Sequence, residues 1–263
     1  MKIHAAPSLA LMTSGARNQW ACLGTFVLRN LFLIVILYVF ASLWKKVYAD
    51  RFEIAGFSLD RMVWYLVITE GIMFARSELW STVQREVKDG TVAYGLVRPL
   101  PYPRLVTMRF LGEGAVRLVP VAALGSVVAW PMAGGFTGGP AGAASGLVLS
   151  AGALVLLAQM EMLVGLAAFA MEDVTPVYWI YQKIIFIFGG LFFPLDLYPA
   201  RFAAVLKALP FAHAAHWPGA VTVTGGEGFA RAAAGQAAWM LVLGLAVIAA
   251  YRRSIRRIEV QGG

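Results

Sequence analysis

The sequence has little charge and very few residues suited to covalent or metal chemistry. Asp, Glu, Lys and Arg make up 14% of its 263 residues, against 60% hydrophobic. That balance leaves too little polar surface to cover a soluble domain of this size. The one cysteine, Cys22, permits neither an intramolecular disulfide nor a cysteine-based metal site, and it leaves the redox compartment open. Of the three histidines, His213 and His216 have a spacing that could hold a metal on a helix. No third ligand follows nearby, and Pro218 interrupts the local helical pattern. Gly142-Ala143-Ala144-Ser145-Gly146 lacks the Gly-x-Ser-x-Gly spacing of a nucleophile elbow. No Gly-x-x-x-x-Gly-Lys-Ser/Thr phosphate cradle occurs anywhere in the chain. No catalytic residue and no metal site is therefore expected. The net charge of +8 comes from dispersed basic residues with no aromatic-interleaved basic patch, which argues against nucleic acid as a partner.

What the chain has in abundance is apolar sequence. A helix crossing a bilayer needs about 20 apolar residues, because each backbone N–H and C=O must be satisfied within the segment. Ala232 to Tyr251 meets that requirement. Leu118 to Met160 carries no charge and suffices for two spans joined at Gly134-Gly135-Phe136-Thr137-Gly138-Gly139-Pro140. Three further spans are less pure: about Gly24 to Trp44 with Arg29, Leu59 to Ser77 with Glu70, and Val177 to Leu195 with Lys183. The expected fold is an all-α integral membrane protein of six transmembrane helices forming a single transmembrane domain, residues 1–263.

Orientation follows from the short loops, where Lys and Arg resist translocation. Placing both termini in the cytoplasm puts Lys2, Arg17, Arg76, Arg85, Lys88, Arg98 and the Arg252 to Arg257 cluster inside. Lys45, Lys46, Arg51, Arg61, Arg201, Lys207 and Arg231 then fall outside. Residues 1–22 read as an interfacial helix on the inner surface, and residues 252–263 as a basic tail against anionic lipid head groups. The external segment, residues 194–231, is broken by prolines and suits a short interfacial or re-entrant helical pair. The cytoplasmic loop, residues 77–104, is too charged for lipid and too patterned for a slack linker. In it Arg85, Glu86, Lys88 and Asp89 offer both charge signs for a reversible polar contact, and Gly90 can end the element. Arg98-Pro99, with Pro101 and Pro103, restarts the chain. Glu172-Asp173, in the other cytoplasmic loop, is a second candidate contact or a plain acidic turn.

The series Glu86-x-Lys88-x-Gly90-Thr91-Val92-Ala93-Tyr94-x-Leu96-Val97-Arg98-Pro99 resembles the first cytoplasmic loop of permease subunits of ABC-2 type ATP-binding cassette transporters. Phe193-Pro194-Leu195-Asp196-Leu197-Tyr198-Pro199, with Leu209-Pro210-Phe211, is similar to the external segment of the same class. With the six-span pattern, the resemblance covers essentially the whole chain. It points to a bacterial branch whose permeases often work as pairs of non-identical subunits. The resemblance implies a multi-pass protein of the bacterial inner membrane that forms the export pathway without hydrolysing ATP. ATP and magnesium would bind a separate cytoplasmic ATPase seated on Arg85, Glu86, Lys88, Asp89, Gly90, Arg98 and Pro99. A second permease copy or a non-identical permease, and membrane lipids, complete the implied partners.

Charged groups inside the spans are costly and are usually paired or line a wet cavity. Arg109, Glu113 and Arg117 lie four residues apart and share a helix face. Glu70, Glu161, Arg29 and Lys183 remain for pairing between helices. Three acids against three bases among Arg29, Glu70, Glu113, Arg117, Glu161 and Lys183 favour structural ion pairs over a charged channel. The functional alternative has Glu70 or Glu161 attracting a cation, or Arg117 and Lys183 an anionic head group. The aromatic and methionine residues around the fourth and fifth spans suit packing, or a greasy pathway for an amphipathic molecule. Small residues from Gly142 to Gly165 suggest a subunit interface. A self-sufficient secondary transporter or channel using Glu70, Glu113 and Glu161 is the other class that fits a polytopic chain, although no inverted repeat is visible.

Overall fold

The computed structural model describes residues 10–14 and 23–256. Nearly all of it is helical. In chain order the elements are α1 (residues 10–14), α2 (Leu23–Val47), β1 (Glu53–Ile54), β2 (Phe57–Ser58), α3 (Leu59–Ala75), α4 (Leu79–Lys88) and α5 (Val92–Leu96). The second half comprises α6 (Tyr102–Ala133), α7 (Gly139–Leu166), α8 (Thr175–Phe188), α9 (Ala200–Ala208), α10 (Pro210–Ala214), α11 (His216–Val223) and α12 (Phe229–Ile255). Single 3-10 turns occupy Ala167–Phe169 and Leu195–Leu197. The two short strands form an antiparallel hairpin with Glu53 opposite Ser58, between α2 and α3.

Among the described residues, four helices are long and apolar enough to cross a membrane: Leu28–Val47, Tyr102–Ala133, Gly139–Phe169 and Phe229–Ile255. Their burial differs sharply. In the window around α7, 61% of the residues are buried, against 28% for α2 and 17% each for α6 and α12. Thus α7 is the central post, and the other three turn most of their surface outward. The expected hairpin after Leu118 is present with its turn at Gly134 to Gly138, but α6 begins earlier, at Tyr102. At 32 residues it exceeds the length of a perpendicular crossing, so its first turns, with Arg104 and Arg109, reach beyond the apolar layer or the helix tilts.

The two remaining expected spans are shorter. α3 has 17 residues, most of them buried. α8 has 14 and stops at Phe188, whereas the apolar run continues to Leu195. At Gly190 the backbone has a φ of +72°, a conformation that costs glycine little, and its carbonyl accepts the Tyr65 hydroxyl hydrogen. The chain therefore leaves the helix there to meet α3.

Small residues on α7 allow these elements to approach closely. Cβ atoms at Gly142 and Gly146 would overlap Thr222 of α11, one at Gly152 would overlap Gln236 of α12, and one at Gly165 would crowd Val83 of α4. The glycines expected to mark a subunit interface are thus used inside the chain, because α11, α12 and α4 occupy those faces. Ala143, Ala144, Leu147 and Val148 remain exposed on the opposite side.

Candidate functional site

α4 is amphipathic. Leu79, Trp80 and Val83 are buried, while Arg85 and Lys88 are exposed. Its N-terminus would leave amide hydrogens without partners, and Glu161 of α7 answers one of them: Oε2 accepts the Leu79 N–H at 2.8 Å. The other carboxylate oxygen forms a buried ion pair with Arg76. Arg76 Nη2 donates to the Tyr178 hydroxyl at 3.1 Å, and Trp80 stacks on the Tyr178 ring at 4.2 Å. The Arg76 carbonyl ends α3, where the helix dipole is negative. It accepts hydrogen bonds from Arg29 at 2.5 Å and Arg117 at 3.1 Å. Helices α2, α3, α6, α7 and α8 therefore converge on the first residues of α4.

The far end of α4 is tied as well. Asp89 caps it and Gly90 follows with φ +69°. Tyr102 donates its hydroxyl hydrogen to Glu86 Oε2 at 2.7 Å, fixing α4 to the start of α6. Gln84 Oε1 accepts the Val174 N–H at 2.7 Å, which joins α4 to the α7–α8 connection. There Asp173 accepts from the hydroxyl and backbone N–H of Thr175. These hydrogen bonds, with Lys88 nearby, hold its carboxyl below the usual range.

Of the sequence-derived contact residues, Arg85, Lys88, Asp89, Gly90, Arg98 and Pro99 lie on the exposed surface of α4, α5 and the turns around them. Glu86 is half-buried and committed to Tyr102. Tyr94, 73% exposed, and Val97, 85% exposed, belong to the loop motif but not to the contact set chosen by charge. A tyrosine in a loop otherwise rich in charge is the sequence signal for such a position, since interfaces are enriched in tyrosine.

The charges expected to pair between spans are arranged differently. Glu161 pairs with Arg76, which the sequence reading places at the cytoplasmic edge of its span and leaves out of the pairing set. Arg117 lies 3.7 Å from Glu113, one turn away. Arg29 reaches a backbone carbonyl, and Lys183 Nζ sits 5.9 Å and 5.5 Å from the Trp179 and Phe186 ring centres. Glu70 is 3% exposed, and its Oε1 has no hydrogen-bond partner. Arg76, one position beyond α3, is level with Glu161 near the end of α7, so it reaches that carboxylate first.

At the opposite end, Asp196 bridges Lys207 at 2.5 Å and faces His216 at 3.6 Å. His213 and His216 fall on successive short helices separated by Ala215 and do not share one helix face. Pro218 lies in the first turn of α11, where its missing N–H is tolerated. No cluster of three metal-ligating side chains occurs among the described residues.

The α4 end thus presents an exposed face of mixed polar and apolar residues braced against five helices. The comparison with curated proteins returned no match. Residues 31–262 match the family described as ABC-2 family transporter protein, and with nearly the whole chain spanned by that match, this chain belongs to the ABC-2 family.

Proposed function

We propose that this chain is the membrane-spanning subunit of an ATP-driven exporter and that a separate ATPase seats on α4 and α5. The observation that carries this reading is the Arg76–Glu161–Leu79 junction, which links the start of α4 to the central helix. When two ATPase subunits close on ATP and magnesium, a helix held in their cleft moves with them. An α4 fixed at both ends passes that displacement to α3, α6, α7 and α8 as tilt.

In this reading α3 and α8, with the turn after α8, complete six crossings. The α4 end faces the bacterial cytoplasm and residues 194–231 face outside, as the distribution of Lys and Arg supports. The outward faces of α2, α6 and α12 contact lipid and a second permease. Export rather than import follows from the resemblance of the loop and external segments.

Gentle extraction of the chain from its native membrane at low salt, followed by mass analysis, tests the proposal. A stoichiometric ATPase of the cassette type is expected, with a second permease copy or a non-identical one. Recovery of the chain alone, with transport retained after reconstitution, would replace this reading with a self-sufficient secondary transporter.

A further inference from the structure

Between α2, α3 and α8 lies a cleft of about 260 Å³. One end is closed by Arg29, Arg76 and Tyr178, near the start of α4. Phe32, Phe74, Phe186 and Phe192 also line it, together with Glu70, Glu78 and Gln182. Glu70 and Arg76 are six positions apart, so their Cα atoms stand about 9 Å apart along the helix axis. Phe32 is 58% exposed, so the cleft reaches the outer surface of the bundle beside α2.

Burying a carboxylate in an apolar layer is costly unless something compensates it. Here the compensation is missing. Glu161 has Arg76 and two hydrogen bonds; Glu113 has Arg117. Glu70 has neither an ion pair nor a hydrogen bond to Oε1 among the described residues. The nearby arginines are committed elsewhere, Arg76 to Glu161 and Arg29 to the Arg76 carbonyl. Aromatic faces attract cations, and this cluster already shows it, with Lys183 Nζ 5.5 Å from the Phe186 ring centre.

The geometry points to a binding site for a small organic cation, an aromatic or alkyl quaternary ammonium, with its charge at Glu70 and its apolar body among the four phenylalanines. Entry is lateral, past Phe32. The cleft volume limits the ligand to roughly one ring and a trimethylammonium-sized head. That this cation is cargo rests on the exporter reading; that the site binds it does not.

Benzyltrimethylammonium is the probe, and its neutral carbon isostere neopentylbenzene and the anion benzenesulfonate are the comparisons. Binding is measured by equilibrium dialysis on the full chain in detergent, without an ATPase, against detergent alone. Saturable binding of the cation is expected, with Glu70→Gln weakening it roughly tenfold or more and leaving the neutral isostere unaffected. Phe74→Leu should weaken the cation about threefold while Glu70 is intact, and this keeps the test decisive if Glu70→Gln fails to fold. Equal cation binding by the parent chain and either variant, or tighter binding of benzenesulfonate, would overturn the inference; the second result would give the cleft to Arg29. A chain that binds the cation but co-purifies with no ATPase keeps the site and loses the export role. An ATPase complex that binds no cation loses this inference alone.

Discussion

Arg76 sits one residue beyond α3, and by sequence it counts as one more positive charge at a membrane edge. Its partner Glu161 lies 85 positions away, and no spacing rule connects them. Removing either side chain leaves the other charged and enclosed, so Glu161→Gln or Arg76→Leu should destabilise the chain by about 3–5 kcal/mol, read as a lower melting temperature in detergent. Replacing both together by apolar residues should recover much of that stability, although α4 then loses the carboxylate that accepts the Leu79 N–H. The residues most legible from sequence were those with a local signature. Gly90 as the end of α4 and Arg117 one turn from Glu113 are both set by neighbours in the chain. Arg76, Tyr178 and Tyr102 were not legible, because each acquires its role from a helix far away in sequence.

α4 combines an inward face fixed by Trp80 and Val83 with an outward face carrying Arg85 and Lys88. Reversing Lys88 and Arg98 together to Glu should abolish recovery of the ATPase with this chain while leaving membrane insertion and melting temperature unchanged. Loss of insertion would mean that these residues stabilise the chain itself. Tyr102→Phe removes the hydrogen bond to Glu86 and should cost about 1 kcal/mol, visible as faster amide exchange in α4 with α7 unaffected. At this scale the long apolar helices and the turn between α6 and α7 could be read from composition, because lipid imposes length and hydropathy directly. The early end of α8 could not. Gly189 and Gly190 look like tolerated small residues in an apolar run, until Tyr65 takes the Gly190 carbonyl and Leu195 packs against it.

The molecule as a whole is organised around α7, which is enclosed by α4, α11 and α12. Gly146→Leu would force Thr222 and α11 away from this post and should lower the melting temperature by several degrees; Ala144→Leu, on the exposed side, should leave it unchanged. If Ala144→Leu instead blocks recovery of a second permease, the exposed side of α7 is the contact between subunits. Near the middle of the bundle, Gln236 of α12 donates to the carbonyls of Leu149 on α7 and His213 on α10, each at 2.8 Å. Gln236→Leu should cost about 1 kcal/mol, since hydrogen bonds between helices in membranes average about 0.6 kcal/mol each. Those two bonds also impose a schedule on synthesis. α12 leaves the ribosome after α7 and α10, the helices it joins here, so the centre of the protein stays open until α12 has been made. Every product cut short before Phe229 carries the Leu149 and His213 carbonyls without that partner. Incomplete chains are therefore chemically distinct from finished ones at their core, and a membrane protease has a physical basis for telling them apart.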